Sequence, residues 1–376
     1  MIYLDAAATT AVRREVLEAM WPYLTGDFGN PSSHHEIGNR ASVALEKARA
    51  TVARYVGARP TEIVFTGGGT EADNLAIKGV SLATPRARHI VTSPIEHPAV
   101  LESCDYLRRH HAFQIDYVPV DHTGMVDLDA LADLVTPSST LVSIMMANNE
   151  IGTVQPIGAI SKICRAVGVP LHSDAVQAVG SLPIHVRDLG LDALSLSGHK
   201  LGAPKGIGAL YVRGRVQLEP VLHGGGQERG ARSGTENVAA AVGLATALGL
   251  ASPAVADLFE VRDVFIDGVL QSVPGAVLTG HRTSRLAGNA SFCFPGTSGE
   301  SVLLRLEESG IVCSSGSACA AGSDEPSHVL TAVGIEREVA QTAVRFTFGA
   351  DFSREQAEFV VRALREAITT LAPAHP

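Results

Sequence analysis

Cysteine is scarce in this 376-residue sequence, basic residues are in the minority, and no hydrophobic run is long. The five cysteines are scattered and form no C-x-x-C pair, so we expect neither a disulfide framework nor a metal site. Lys and Arg number 30 against 39 Asp and Glu, which argues against direct binding to nucleic acid. The longest apolar run, residues 238–251, is too short to span a bilayer and predicts a buried helix. Since no signal-like segment opens the chain, we expect a cytoplasmic protein.

Short β-branched runs alternate with helical segments between about residues 60 and 215 of the sequence. Helices are predicted at 71–82, 98–110 and 157–167, and buried strands at 62–65, 89–92, 140–146, 169–173 and 193–196. Such alternation predicts an α/β fold with a mostly parallel central sheet flanked by helices.

The pattern changes after about residue 250. A long amphipathic helix is predicted at 258–273, short strands at 289–294 and 343–348, and a terminal helix at 354–371. We therefore expect a large domain of residues 13–250 and a smaller α+β domain made of residues 1–12 with 251–376.

Lys200 ends the most specific local string of the chain, SLSGHK at 195–200, just after an apolar predicted strand. A lone lysine is usually a surface charge. Here the small residues before it, and Gly202 and Gly206 after it, weaken local structure and indicate close approach of a ligand. Pyridoxal 5'-phosphate (PLP) is such a ligand, because it needs a lysine for covalent attachment and a partner for its ring nitrogen.

Asp174 is the candidate for that partner, because it lies just beyond a predicted buried strand. A buried aspartate is costly unless it is paired, and a protonated ring nitrogen would pair with it. The alternative is that Asp174 only caps a helix. Gln177, one helical turn further on, could face the same ligand.

The string TGGGTE at 66–71 is the candidate phosphate site. Three glycines after a strand, with Thr70 opening a helix, present backbone N–H groups at the positive end of that helix. No G-x-x-x-x-G-K-[ST] pattern occurs, which disfavours a nucleotide loop. His97, between a strand and a helix, is a candidate to stack on the ring, although a lone loop histidine is more often structural.

Taken together, the chain closely resembles the cysteine desulfurases, PLP enzymes of fold type I in the class-V aminotransferase-like group. The resemblance runs nearly end to end and includes, in order, YLD with AATT near the start, FGNPSS at 28–33, NNEIG at 148–152, HGGGQE at 223–228 and RSGT at 232–235. The order and number of these strings make the similarity far more specific than any one of them.

The resemblance implies a role for each candidate residue. Lys200 would bind PLP covalently, Asp174 would pair with the ring nitrogen and His97 would stack on the ring. The remaining positions would contact the ring oxygen (Gln177, Asn149), the phosphate (Gly69, Thr70, Ser197, His199, and Thr235 from the second subunit of a homodimer) or the α-carboxylate of the substrate L-cysteine (Arg345, with Asn30 and Asn149).

Cys319 lies in a run of small residues at 313–323, which predicts a flexible loop. The resemblance makes Cys319 the nucleophile that takes sulfur as a persulfide, with a base such as His97 assisting. The length of the loop is similar to the branch that hands sulfur to protein acceptors. Three other cysteines (Cys104, Cys164, Cys293) are expected to be buried and inert.

Two other functions stay open at this point. A selenocysteine lyase, or another PLP lyase of the same fold, would be favoured if activity survived Cys319→Ala. A protein that retains PLP without turnover is the non-enzymatic alternative. The sequence does not name the sulfur acceptor, and iron–sulfur cluster assembly, tRNA thiolation and DNA phosphorothioation all begin with the same persulfide.

Overall fold

The computed structural model describes residues 1–251, 256–316 and 325–371. The strands in these ranges are β1 (Ile2–Tyr3), β2 (Ile63–Thr66), β3 (His89–Thr92), β4 (Gln114–Tyr117), β5 (Leu141–Ser143), β6 (Leu171–Asp174), β7 (Ala193–Ser197), β8 (Gly208–Val212), β9 (Val277–Leu278), β10 (Asn289–Cys293), β11 (Ile311–Val312) and β12 (Ala343–Thr347).

The helices are α1 (Arg14–Thr25), α2 (Glu36–Val56), α3 (Gly69–Asn74), α4 (Val80–Ala83), α5 (Pro98–His111), α6 (Leu128–Leu134), α7 (Ile157–Ala166), α8 (Val186–Leu189), α9 (Val238–Leu250), α10 (Ala256–Ser272), α11 (Gly299–Glu308), α12 (His328–Ala332), α13 (Arg337–Ala340) and α14 (Arg354–Leu371). A π-helical turn, Leu75–Gly79, joins α3 to α4, so the predicted helix at 71–82 is observed as one helical segment with a local bulge.

The central sheet has seven strands in the order β2-β8-β7-β6-β5-β3-β4. Strands β3 to β7 run parallel to one another, whereas β8 is antiparallel to both β2 and β7. The prediction of a mostly parallel sheet flanked by helices is thereby confirmed. The antiparallel β8 was not predicted; it follows β7 after a short connection, which reverses the chain without a crossover helix.

The two largest hydrophobic cores lie on different parts of the chain. The larger core packs around the central sheet and includes α9, which is a buried helix as the apolar run predicted. The second core contains Leu4 and a cluster of phenylalanines in which Phe265 meets Phe292 and Phe346 edge to face. The division into residues 13–250 and 1–12 with 251–376 stays a prediction, which these separate cores support.

The carboxyl ends of β6 and β7 open onto the same edge of the sheet as the starts of α3 and α5. In parallel α/β sheets this edge is where ligands bind. Within residues 1–251, 256–316 and 325–371, no helix combines the length and apolar character that crossing a bilayer requires.

Candidate active site

A cavity of about 1110 Å³ lies at this edge of the sheet. Most of the predicted site residues line it, namely Gly69, Thr70, His97, Asn149, Asp174, Gln177, Ser197, His199, Lys200 and Arg345. These residues come from distant parts of the sequence, and the fold brings them together around one cavity.

Two of the described predicted site residues, Thr235 and Asn30, are not among those that line the cavity. Thr235 and Asn30 are exposed and lie away from it, and the Asn30 side chain accepts a hydrogen bond from the Ser32 amide at 2.9 Å. Cys319 lies outside the described residues. Thr235 was predicted to serve the site of a second subunit, and that role stays a prediction.

Asp174 ends β6 and is buried, with its carboxyl group on the cavity wall. One carboxylate oxygen accepts a hydrogen bond from the Val176 amide at 2.8 Å, within a tight turn rather than a helix. Burial raises the pKa of Asp174 above its usual value, while His97 and Lys200 act in the opposite direction. A protonated ring nitrogen in the cavity would compensate this carboxylate for the loss of water.

Lys200 ends a short 3₁₀ turn that follows β7. Its ammonium group donates hydrogen bonds to the carbonyl oxygens of Ala8, at 2.8 Å, and of Ala7. The Ala7 carbonyl also accepts a hydrogen bond from Gln177 at 3.1 Å. Ala7 and Ala8 therefore form part of the wall of the site, although neither was among the predicted site residues.

His97 is the N-cap of α5, and its Nδ1 accepts a hydrogen bond from the Ala99 amide at 3.1 Å. An amide N–H can only donate, so the neutral ring carries its proton on Nε2. Burial lowers the pKa of His97, and Lys200 lowers it further, which favours the neutral ring. In this arrangement His97 can donate a hydrogen bond from Nε2, and its second nitrogen is already engaged.

The start of α3 comes close to the end of β7. A β-carbon on Gly69 would lie 2.8 Å from Val176 Cγ2 and 3.2 Å from Ser197 Cβ, so glycine is required for this approach. His199 contacts Thr9 through its ring at 3.1 Å, and burial lowers its pKa to about 4. Helix-start amides beside neutral hydroxyl and imidazole groups form a suitable phosphate site.

Glu71 links this phosphate loop to the RSGT segment. Its carboxylate accepts a hydrogen bond from the Gly67 amide at 2.8 Å and pairs with Arg232 at 2.8 Å. The pair fixes the start of the segment that contains Thr235.

Arg345 lies on β12 and is buried on the opposite wall. Its guanidinium donates to Asp5 at 2.8 Å, to the Asn149 carbonyl at 3.1 Å and to the Gly316 carbonyl at 3.2 Å. Within the described ranges, no group accepts the Nε hydrogen. The planar, multiply donating guanidinium is suited to a carboxylate ligand.

Sequence reasoning missed several buried carboxyl groups around the cavity. Asp73 and Glu150 line it directly, and Glu96 lies behind His97. Glu150 accepts a short hydrogen bond of 2.5 Å from Ser327, which caps α12. No local signal distinguished these residues, because acidic residues in helices and loops are ordinarily exposed.

The predicted inert cysteines (Cys104, Cys164, Cys293) are all buried, as expected. Burial raises the pKa of each of the three thiols to about 12. A thiol with so high a pKa is almost wholly protonated at neutral pH and is a poor nucleophile.

Comparisons with known proteins agree with this geometry. The profile of the family "Aminotransferase class-V" matches residues 2–360, so the chain belongs to this family. "Cysteine desulfurase IscS" of Dictyoglomus turgidum is 45% identical over 380 residues, which cover 100% of this chain and 96% of that protein. A solved "NIFS-LIKE PROTEIN" superposes with a TM-score of 0.91 at 37% identity, with 98% of this chain and 100% of that chain covered.

A second solved structure, "SspA in complex with cysteine", superposes with a TM-score of 0.82 at 37% identity and covers 93% of this chain and 99% of that chain. This chain belongs to the cysteine desulfurase family, as its sequence motifs predicted. The enzyme is therefore PLP-dependent, and the cavity fits the cofactor: it offers a lysine amine, a buried carboxylate and a phosphate-binding helix start.

Proposed function

We propose that this protein removes sulfur from L-cysteine, releases L-alanine and carries the sulfur as a persulfide on Cys319 for transfer to a protein acceptor. The observation that carries the proposal is the convergence of Lys200, Asp174 and Arg345 on one cavity in a chain of the cysteine desulfurase family. The binding of cysteine by the similar SspA supports the choice of substrate.

Bound PLP would supply an electron sink for the reaction at the substrate Cα. Asp174 would pair with the ring nitrogen, and His97 would stack on the ring. Lys200 would hold the cofactor, and its Nζ would accept the Cα proton of the substrate. Thr70, Ser197 and His199 would bind the phosphate.

Arg345 binds the α-carboxylate of L-cysteine. Two of its present partners, the Asn149 and Gly316 carbonyls, are neutral, so an incoming carboxylate that replaces them makes a stronger, charge-assisted hydrogen bond. Asp5 stays behind the guanidinium and fixes its plane. The exposed Asn30 reaches the site only if its loop moves toward it.

Sulfur transfer is an attack by the Cys319 thiolate on the substrate sulfur. The S–S bond forms as the C–S bond breaks, and the electron pair remains on carbon, which is protonated to give alanine. Since His97 Nδ1 accepts the Ala99 amide, the Nε2 atom of the neutral ring already holds a proton, and His97 is poorly suited to remove one from a thiol.

His328 is the better candidate for the base. Its Nε2 donates to the Glu96 carbonyl at 2.9 Å, which leaves Nδ1 unprotonated on the neutral ring. It lines the cavity and lies nine positions after Cys319 in the sequence. We therefore assign thiol deprotonation to His328 rather than to His97.

A homodimer is supported by an apolar surface on α1. Leu17, Trp21 and Leu24 are spaced to share one face of the helix, and each is more than half exposed. Phe28, just beyond the helix, is 67% exposed. An exposed aromatic and aliphatic face of this kind is typical of a subunit interface, and a second copy would bring Thr235 to the phosphate of its partner.

The proposed acceptor is a protein, the proposed location is the cytoplasm, and the proposed reaction type is that of a sulfurtransferase. A selenocysteine lyase is the alternative, and the two differ in their need for Cys319. Family membership and the gathered side chains support the desulfurase.

The test is to incubate the PLP-loaded enzyme with L-cysteine and a thiol reductant, and to measure alanine and sulfide. We expect equal amounts of both from the wild type and at least a hundredfold loss, on the order expected for a covalent nucleophile, in Cys319→Ala. Cys104→Ala, which removes a buried thiol away from the cavity, is the matched control. Alanine formation that persists in Cys319→Ala would favour the lyase.

A further inference from the structure

Asp73 lies directly behind the cofactor site. It belongs to α3, the helix that begins at the phosphate loop, and it is 1% exposed on the inner wall of the cavity. Its Oδ1 atom accepts no hydrogen bond from any described residue. An ionised carboxylate that is buried with one oxygen unpartnered is unfavourable, because that oxygen has lost its hydrogen bonds to water and has no donor in their place.

The nearest basic side chain does not offset this charge. His172 on β6 has its Nε2 3.8 Å from Asp73 Oδ1, and its two ring nitrogens contact Ser143 Oγ at 2.9 Å and Ser195 Oγ at 3.0 Å. Complete burial lowers the pKa of His172 to about 3. The ring is therefore neutral, and it contributes hydrogen bonds but no positive charge.

Other charged groups near Asp73 make its ionisation still less favourable. Burial raises the pKa of Asp73 well above its usual value, and the neighbouring carboxyl groups of Asp174 and Glu96 raise it further, whereas a hydrogen bond with Ser195 lowers it by less than burial raises it. The strands that face α3, namely β2, β7 and β8, contain no Asp, Glu, Lys, Arg or His. Burial raises the pKa of Cys104 on α5 to about 12, so this thiol is neutral. His97 and Lys200 lie on the cavity side, where they act on Asp174.

We propose that Asp73 is a neutral carboxylic acid at neutral pH, and that its O–H donates a hydrogen bond to the Asp174 carboxylate. Asp73 is thus a positioning residue: it keeps Asp174 ionised and aimed into the cavity, and it joins the phosphate-binding helix to the ring-binding carboxylate. The inference rests on the proposed pairing of Asp174 with the PLP ring nitrogen.

A neutral acid can be replaced by an amide of the same shape. In Asp73→Asn the amide N–H₂ takes over the hydrogen bond to Asp174, whereas Asp73→Ala leaves Asp174 without it. Loss of that donor raises the pKa of Asp174, since the hydrogen bond from Asp73 lowers it. In Asp73→Ala, Asp174 then becomes protonated at a higher pH than in the wild type, and a protonated Asp174 no longer pairs with the ring nitrogen.

The first measurement is the pH at which half of the PLP is lost when the holoenzyme is acidified, followed by the visible absorption of the bound cofactor. We expect Asp73→Ala to release PLP about one pH unit above the wild type, and Asp73→Asn to follow the wild type. The proposal is wrong if Asp73→Asn behaves like Asp73→Ala, because the negative charge is then needed. It is also wrong if Asp73→Ala matches the wild type.

The second measurement does not depend on the Asp73→Ala variant folding. Infrared spectra at pH 7 should show, in the wild type, a carbonyl-stretch band of a protonated carboxyl group that Asp73→Asn lacks. Glu96→Gln serves as the control, because it removes the other buried acid. An undiminished band in Asp73→Asn would mean that Asp73 is ionised, which overturns the proposal.

The same set of variants separates this proposal from the proposed role of Asp174. If Asp174→Asn binds PLP as tightly as the wild type, the pairing with the ring nitrogen is wrong, whatever the infrared band of Asp73 shows. If Asp174→Asn loses PLP while Asp73→Ala does not, only the positioning role fails.

Discussion

Arg345 Nη2 lies 2.8 Å from Asp5 Oδ1, so the guanidinium that we assign to the substrate carboxylate already has a carboxylate partner. The two residues are 340 positions apart in the sequence. Asp5 holds the plane of the guanidinium, and it also reduces the positive charge that L-cysteine meets. These two effects can be separated by substitution.

We predict that Asp5→Asn lowers KM for L-cysteine by about two- to fivefold, the size expected for a partly exposed ion pair. The amide oxygen still accepts from Arg345, so the guanidinium stays in place while the competing charge is lost. Steady-state kinetics would measure this, with Arg345→Lys as the comparison: it should raise KM by at least about tenfold, because lysine lacks the planar fork. A rise of KM in Asp5→Asn would contradict the prediction that Asp5 competes with the substrate carboxylate for Arg345.

The assignment of the base predicts different pH profiles for two histidine variants. His328→Gln should slow persulfide formation at pH 7 by at least about tenfold and recover as pH approaches about 8.5, where a thiol ionises unaided. His97→Gln should be slow at every pH, because its role is not thiol deprotonation. Single-turnover measurements of protein-bound persulfide would report both, with His110→Gln as the control outside the cavity. Recovery in His97→Gln instead would reverse the assignment.

The tight approach of α3 to β7 predicts a compensating pair of substitutions. Gly69→Ala should weaken PLP binding and destabilise the protein by about 1–3 kcal/mol, because its β-carbon would meet Val176 Cγ2 at 2.8 Å. Gly69→Ala combined with Val176→Ala should recover most of that loss in a double-mutant cycle of PLP affinity and unfolding free energy. Gly249→Ala is the matched control, because nothing lies within 4 Å of the added carbon. Simple additivity would show that Val176 is not the obstacle.

Glu96 predicts a pH dependence of stability. Complete burial raises the pKa of Glu96 to about 8, whereas in the unfolded chain it is near the ordinary value of a glutamate. The folded state therefore binds this proton more tightly than the unfolded chain does. The contribution of this proton to the free energy of unfolding is fully present below about pH 4 and is lost as pH rises through about 8.

The corresponding measurement is chemical unfolding of the wild type and of Glu96→Gln between pH 5 and pH 9. The stability of the wild type should fall relative to that of the variant by about 1.4 kcal/mol per pH unit up to about pH 8. Glutamine can still accept the hydrogen bonds that Glu96 receives from Ser93 and the Met145 amide. Parallel stability curves for the two proteins would mean that Glu96 is not protonated in the folded state.

The apolar face of α1 predicts the oligomeric state. Trp21→Glu places a charge on an exposed position, so it should leave the monomer fold intact and shift a dimer toward monomer. Analytical ultracentrifugation would measure the mass, and Tyr117→Glu would control for the loss of an exposed aromatic elsewhere. An unchanged dimer in Trp21→Glu would place the interface on another surface.

Site residues could be predicted from the sequence where the signal lay in neighbouring residues. They could not be predicted where the signal depended on contacts between distant parts of the chain. Lys200 and Asp174 were predictable because each follows a buried strand and carries chemistry that burial alone does not explain. Asp5 was not predictable as a partner of Arg345, because that pairing needs the two ends of the chain to meet. Asp73 gave no signal either, since only the fold reveals that a helix residue faces a second buried carboxyl group.

The strand prediction failed in a similar way. The run at 140–146 was expected to be one strand, yet β5 ends at Ser143. Beyond it the chain still bonds to β6 through the amides of Ile144 and Met146, but it already bends toward the cavity.

The opening segment of the chain has a consequence for anyone who engineers this enzyme. Ile2 and Tyr3 pair with β11, Leu4 enters the second core, and the next few residues supply the carbonyls that hold Lys200. Trimming about ten residues from the start would thus damage the reaction centre itself, and a circular permutant that separated this segment from β11 would have to rebuild both a sheet and a cofactor pocket.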